Sequence, residues 1–408
     1  MRAVMMILFV AVSACFLVPV SIAASPPAPL HVYLDADMTG AKASGIAIER
    51  GIRTALAEEG FRLAGRPVEV VVLDHRGNSA RSLVNLKKFL SDPDAFVLFA
   101  GLHSPPLLAH KEFINDNKIL TLDPWAAAGP ITRPAAGDNW IFRLSVDDTK
   151  AGAVITRRAV DERGFSKPAL LLENTGWGKS NLKTMTASLK MRNLTPVTVT
   201  RFEWGVSLAG AKIFLRNIRK AGADVIFLVA NAPEGKTICK AMHELPASDR
   251  LPIVSHWGIT GGDFPQVITA EMRKQLDLEF IQTRFSFMDM GESALGNKVF
   301  QEAVALFPEV KEPSDITAPT GFIHAFDLTR LLVAAVKQCG LTGDMSKDRA
   351  MVRHALEDLK SPVQGLIKNY QHPFRKYSFK DMDAHEALGE NDYTFGRYNE
   401  DDAIILIR

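Results

Sequence analysis

The sequence predicts an α/β protein built of two doubly wound, mainly parallel lobes, each a three-layer α/β/α sandwich, joined by a hinge of several strands. Three observations lead there. Short runs rich in Val, Ile, Leu and Phe alternate with amphipathic helical segments from residue 30 onward. Those runs lack strict apolar–polar alternation, as strands covered on both faces do. The chain has 408 residues, 47% of them hydrophobic, and a single core seldom grows beyond about 250–300 residues.

In chain order, His31–Ala36, Val68–Asp74, Phe96–Ala100 and Ile119–Leu122 read as strands of the first half. Ala169–Leu172, Val197–Thr200, Val225–Val229 and Pro252–Ser255 read as strands of the second. Helices lie between most of them. Ser44 to Glu59 sets Ile48, Ile52 and Leu56 at four-residue spacing. Phe322 to Val336 carries Leu328, Leu331, Leu332 and Ala335, with Gly340 just past its end as a stop. Asn139–Ser145, followed by Asp147 and Asp148, reads as a first crossing between the halves, and Gln282–Phe287 as a second. Three helices follow. Val363–Tyr370, Glu386–Leu388 and Ala403–Ile407 then read as strands, so the chain is expected to return to the other half. The expected division is lobe one over 30–146 plus 285–360, and lobe two over 147–284 plus 361–408.

Residues 1–24 read as a cleaved export signal. Arg2 supplies the positive start, Met5 to Val20 is an apolar run broken only by Ser13, and Ser21-Ile22-Ala23 offers small residues at a cleavage spacing. A retained membrane anchor is the competing reading, disfavoured by Pro19 and the small-residue exit. Val12-Ser13-Ala14-Cys15 also resembles a lipoprotein cleavage box, but mostly apolar residues continue after it. The mature chain is expected to be exported, without stable membrane insertion.

Net charge is +2, and no basic stripe appears, which argues against a nucleic-acid partner. Beyond the leader only Cys239 and Cys339 remain, too few for a disulfide framework. They read as small buried residues, and neither a metal site nor a cofactor is expected. No His-Glu-x-x-His, no Gly-x-Ser-x-Gly and no paired-cysteine signature is present. Gly178-Lys179-Ser180 resembles the end of a phosphate loop, but Glu173 stands where a glycine belongs and would repel a phosphate. Catalytic residues are therefore not assigned.

Binding is better supported. Trp125, Trp177 and Trp257 each follow a strand end, two of them beside glycines that admit a close ligand. In open α/β sheets ligands lie outside those carboxyl ends. One such tryptophan could simply staple a loop to its sheet; three at like positions point to a lined cleft. In Gly101-Leu102-His103-Ser104-Pro105-Pro106, serine before proline is a good helix start. A helix start also presents free N–H groups and a partial positive charge, a seat for a carboxylate, with His103 beside it.

With these residues in view, the chain resembles the type I periplasmic binding proteins, in particular the branched-chain amino-acid-binding group that serves ABC transporters. The resemblance runs from about Val32 to Phe287 and more weakly beyond. It rests on Met38-Thr39-Gly40 with Gly45, Asp74, Gly101 with Ser104, Ile119 to Ala126, Phe142-Arg143 with Asp147, and Trp177-Gly178. Their order and spacing carry it; no single one is specific. The resemblance implies that Ser104, with backbone groups near Trp125, Ala126 and Ala127, receives a ligand carboxylate in lobe one. It implies that Trp177 covers the ligand from lobe two, with Asn231, Ala232 and Glu234 close by.

One departure bears on the ligand. Amino-acid binders of this group place an acid in a Pro-Glu-Gly context to meet the ligand's ammonium, and here that segment is His256-Trp257-Gly258. An ammonium buried without a partner costs several kcal/mol, whereas one aromatic stack returns about 0.5–1.5 kcal/mol beyond its area term. A zwitterionic amino acid is disfavoured unless Glu234 or Asp123 substitutes. An aromatic or apolar carboxylate seated at Ser104 suits the residues better than the alternative, a quaternary ammonium caged by the rings. The resemblance implies hinged closure over a small ligand and presentation of the closed form to a membrane permease, or alternatively to a membrane sensor. A secreted hydrolase using Ser104 with His103 or His256 is a third reading, and it lacks a nucleophile elbow.

Overall fold

A strand buried along nearly its whole length belongs inside a parallel sheet, and β1 (Leu30–Ala36) sits there with neighbours on both sides. The computed structural model describes residues 28–135, 137–291 and 293–407; the expected leader over 1–24 lies outside them. The first sheet also contains β2 (Arg62–Leu63), β3 (Arg66–Asp74), β4 (Ala95–Ala100), β5 (Thr121–Asp123) and β6 (Ile141–Arg143), in the order β2-β3-β1-β4-β5-β6. Only β2, the hairpin partner of β3, runs antiparallel to its neighbour. Its helices include α1 (Lys42–Ala57), α2 (Ser79–Ser91) and α3 (Ser104–Asp116). The Asn78 side chain caps α2 by accepting from the Arg81 N–H.

After β6 the chain crosses into a second sheet. It contains β7 (Pro168–Glu173), β8 (Thr198–Phe202), β9 (Val225–Val229), β10 (Ile253–Ser255) and β11 (Leu278–Thr283), all parallel. Here α4 (Asp148–Thr156), α5 (Gly176–Lys190), α6 (Leu208–Lys220) and α7 (Ala232–His243) alternate with the strands, and the single turns α8 (Phe264–Val267) and α9 (Ala270–Arg273) precede β11. The chain then supplies α10 (Ala294–Leu306), α11 (Pro319–Cys339) and α12 (Met345–Glu357). These return to the first sheet: α11 packs along α1, and α12 against α11 and β4.

The tail contains β12 (Val363–Gln364), β13 (Asn369–Tyr370), β14 (Tyr393–Tyr398) and β15 (Ile404–Ile407). The last two extend the second sheet antiparallel, giving the order β15-β14-β11-β10-β9-β7-β8. Two of the sequence expectations are refined here, and one strand is new. Val363–Tyr370 is a tight hairpin instead of one strand, because the buried Asp327 carboxylate accepts the Leu366 and Ile367 N–H groups and the Tyr370 hydroxyl at its turn. Glu386–Leu388 makes one parallel bridge, Arg143 to Glu386, and does not extend into a strand. Tyr393–Tyr398 has a mixed pattern that announces no strand, yet it pairs with β11.

The crossings are held by a buried guanidinium. Arg143, fully buried, donates to both Glu386 carboxylate oxygens at 2.7 and 2.9 Å and to the Ala126 and Ala128 carbonyls at 3.1 and 2.9 Å. It also pairs with Asp147 at 2.9 Å. One side chain thus ties the loop after β5, the first crossing and the tail. A planar fork of donors suits this task where an ammonium would not.

Candidate functional site

The carboxyl ends of β4 and β5 in one sheet face those of β7, β9 and β10 in the other, and local chemistry fixes what each end presents. After β5 the Asp123 carboxylate accepts the N–H groups of Trp125 and Ala126 at 3.0 and 2.8 Å, a turn that aims the Trp125 indole into the gap. After β10 the His256 ring accepts the Trp257 N–H at 3.0 Å, and the Thr260 hydroxyl donates to the Trp257 carbonyl at 2.7 Å. A side chain at Gly258 would lie 2.4 Å from the Ala230 carbonyl and 2.6 Å from the Trp177 ring, so glycine lets this turn pack against both.

These turns bring the tryptophans together. The Trp125 and Trp257 centroids are 6.1 Å apart at 59°, within the range of favourable aromatic pairs. Trp177 meets His256 edge-on at 5.0 Å, and Trp257 meets His324 of α11 at 5.0 Å. Ser104, Trp125 and Ala127 from the first sheet, and Trp177, Asn231 and Trp257 from the second, line one small cavity with Leu102, Pro105 and Gly258. Its volume is about 10 Å³, room for one water molecule. The lobes are closed, and the indoles nearly fill the space between them.

Further contacts seal the two lobes. The Asp148 N–H donates to the Ala127 carbonyl at 2.9 Å, and the Gly129 N–H to the Ser180 hydroxyl of α5 at 3.1 Å. The buried Asp148 carboxylate receives the Trp177 indole N–H at 3.2 Å and stands 3.0 Å from His256 Nε2. Burial pushes its pKa up, against the pull of His256. Burial also drives His324 down to about 3, so it is neutral; its ring lies between Thr283 Oγ1 at 3.0 Å and the Pro124 carbonyl at 3.1 Å. Among the described residues Trp125 Nε1 and Asp148 Oδ2 are buried without a protein partner.

The other expected residues fall around the gap and not in its wall. His103 turns away to Asp37, 3.1 Å distant, and packs on Trp204. Ala126 is fully buried, its N–H taken by Asp123 and its carbonyl by Arg143. Ala232 is buried at the start of α7. Glu234 accepts the Gly205 N–H at 2.9 Å. Neither Glu234 nor Asp123 lines the cavity. The Ser104 hydroxyl already accepts the Ala128 N–H at 3.2 Å. Asp148 and His324 are additions that sequence reasoning misses. Asp148 looks like half of a helix-start acid pair, and His324 sits mid-helix with no local signal. A far larger concavity, about 630 Å³, lies elsewhere, beside Arg158, Arg397 and Ile407 at the second sheet's edge.

Comparison with known proteins agrees with this architecture. The family model described as periplasmic binding protein matches residues 34–403. No curated protein matches by sequence. Among solved structures, a type 1 periplasmic binding protein from Bordetella pertussis superposes with a TM-score of 0.76 at 15% identity, covering 93% of this chain and 99% of that one. An ABC-transporter solute-binding protein from R. palustris, solved with benzoate, gives 0.74 at 17% identity, covering 93% and 95%. The branched-chain amino acid transporter substrate-binding protein LivJ from Streptococcus pneumoniae, solved with isoleucine, gives 0.72 at 18% identity, covering 93% and 99%. Two mainly parallel sheets facing across a sealed gap, with a family match over nearly the whole described chain, place this protein in the periplasmic binding protein family, with the type I fold.

Proposed function

We propose that this chain is the solute-binding component of an ABC-type importer in the periplasm, capturing a small organic carboxylate with an aromatic or apolar body between its lobes. It acts by binding and not by catalysis, and its closed form is what the membrane permease receives. The observation that carries this reading is the convergence of Trp125 with Trp177 and Trp257, from opposite sheets, on one solvent-excluded gap. Aromatic faces recognise a flat apolar body, and the start of α3 offers an anion the Ser104 hydroxyl and the positive end of the helix dipole, Pro105 and Pro106 having no N–H to give. Among the described residues no carboxylate lines the cavity itself, and the neighbouring Asp148 is already engaged by Trp177 and His256 through one oxygen, which supports an acid over a zwitterion. The benzoate complex of the R. palustris relative lends weight to the same class.

Since the closed gap holds about 10 Å³, ligand entry requires the lobes to part, and a bound ring then stands between indoles that otherwise meet each other. Binding energy is therefore set against indole–indole contact, and only the difference biases closure. A thermal-shift screen over benzoates, aliphatic acids, amino acids and betaines tests the proposal. A ligand at a hundred times its dissociation constant adds roughly 2.7 kcal/mol of stability. Stabilisation by betaines alone, or by no acid in the panel, would overturn the carboxylate reading.

A further inference from the structure

We propose that Trp204 is the latch of the closed form: an indole carried by the second-sheet lobe that seats on His103 and Gly77 of the first-sheet lobe and sets how long the two stay shut. The proposal deepens the binding-cleft reading and rests on it, but its test does not.

Trp204 follows β8, in a turn whose Gly205 N–H is held by Glu234. Its indole lies beside the buried Glu173, which accepts from Asn231 Nδ2 at 3.0 Å and from the Thr175 hydroxyl at 3.0 Å. The indole thus starts from its own lobe. Its ring then crosses the gap. The His103 imidazole lies 5.4 Å from it, centroid to centroid, and is itself fixed by Asp37. A side chain on Gly77 would come within 3.5 Å of the indole, and at φ +66° that position already favours glycine. The bare backbone there is the indole's seat.

Both ends of this contact join the ligand gap. Asn231, which lines the gap, donates to the Glu173 carboxylate beside Trp204. His103 immediately precedes Ser104, which lines it from the other side. Trp204 is 42% exposed, whereas Trp125, Trp140, Trp177 and Trp257 are at most 5% exposed. It therefore does little for either core, and its burial is bought by closure. An aromatic contact made only in the closed form slows opening and leaves each lobe's own stability alone.

Amide hydrogen exchange on the ligand-free protein tests this. Two regions of the first-sheet lobe are read: residues 76–82, around the Gly77 that faces Trp204, and the Gly129 amide, which is held by Ser180 across the gap. Trp204→Ala is expected to speed exchange about three- to tenfold at both, with β1 and β9 unchanged, and Trp204→Phe to do so less. An increase confined to residues 76–82 would make the contact merely local and overturn the latch. Unchanged exchange would overturn it too. So would uniformly faster exchange over the whole chain, since Trp204 would then serve folding. Benzoate titration is scored separately: the latch response without benzoate stabilisation keeps the latch and rejects the ligand class, and the reverse pattern does the opposite.

Discussion

The indole of Trp125 stands 6.1 Å from that of Trp257, although the two belong to different sheets and the turns that aim them are built by different chemistry, an aspartate in one and a histidine in the other. The contact joins the two lobes, and both rings wall the sealed gap between them.

Trp257→Ala is expected to weaken benzoate binding at least about tenfold, which corresponds to about 1.4 kcal/mol. A tryptophan deleted from a true core costs about 3–5 kcal/mol of stability. Trp257 packs between lobes, so its loss is expected to lower the melting temperature by much less than that figure implies. Calorimetric titration and a thermal melt on one sample separate the two. Unchanged affinity with a core-sized stability loss would return Trp257 to the interior of its own lobe.

Arg143→Met removes the fully buried cation shared by Asp147 and Glu386 and leaves them to Arg133, 2.6 and 3.6 Å away. Breaking such a cluster costs about 3–5 kcal/mol, measurable as a lower urea midpoint at neutral pH. Burial tends to raise the Asp147 pKa, but Arg143, Arg133 and Lys150 together hold it well below the usual carboxylate range. A depressed folded pKa contributes stability above the unfolded value, about 3.9, and that contribution fades as pH falls through the lower folded value. Without Arg143 less of it exists to lose. The gap between wild type and variant should therefore narrow at strongly acidic pH; a gap constant with pH would count against this account.

Asp123 has the opposite sign. Burial lifts its pKa to about 7, with Arg143 and the N–H groups of Trp125 and Ala126 pulling the other way. A carboxyl whose folded pKa lies above its unfolded one binds more protons folded than unfolded between the two values, so stability falls as pH rises from about 4 to 7. Asp123→Asn keeps a side-chain oxygen for the turn and removes the titration. The variant's stability should be flatter than the wild type's across that window. Identical pH profiles would show that Asp123 stays ionised beside Arg143.

The convergence of tryptophans was legible because a strand end is local information: an apolar run stops, a turn residue follows, and topology puts such ends on one side of a parallel sheet. The hinge was legible for the same reason at Phe142-Arg143 and Asp147. What stayed hidden depends on distant partners. Asp148 gains its meaning from His256, 108 residues away. His103 precedes a helix start, and the sequence reading aims it at the ligand, but Asp37 lies 66 residues earlier and turns it outward. Trp204 follows an edge strand, where nothing nearby distinguishes a surface tryptophan from one that reaches another lobe. The ladder of β14 was missed because Gly396 and Arg397 interrupt the apolar pattern of an otherwise well-paired strand.

Ser104 allows the carboxylate seat to be separated from the aromatic walls. Its hydroxyl accepts the Ala128 N–H at 3.2 Å and lines the gap at the start of α3. A hydroxyl that also donates to a bound carboxylate makes a hydrogen bond to a charged group, worth about 1.5–3 kcal/mol. Ser104→Ala is thus expected to weaken benzoate binding about ten- to a hundredfold. Benzamide, of the same shape but uncharged, should bind more weakly than benzoate to the wild type and lose little further in the variant. The mutation also removes the acceptor for Ala128, which would loosen the Trp125 turn and reduce both affinities alike. Equal losses for acid and amide would therefore assign Ser104 to holding that turn, and a loss confined to benzoate would assign it to the anion.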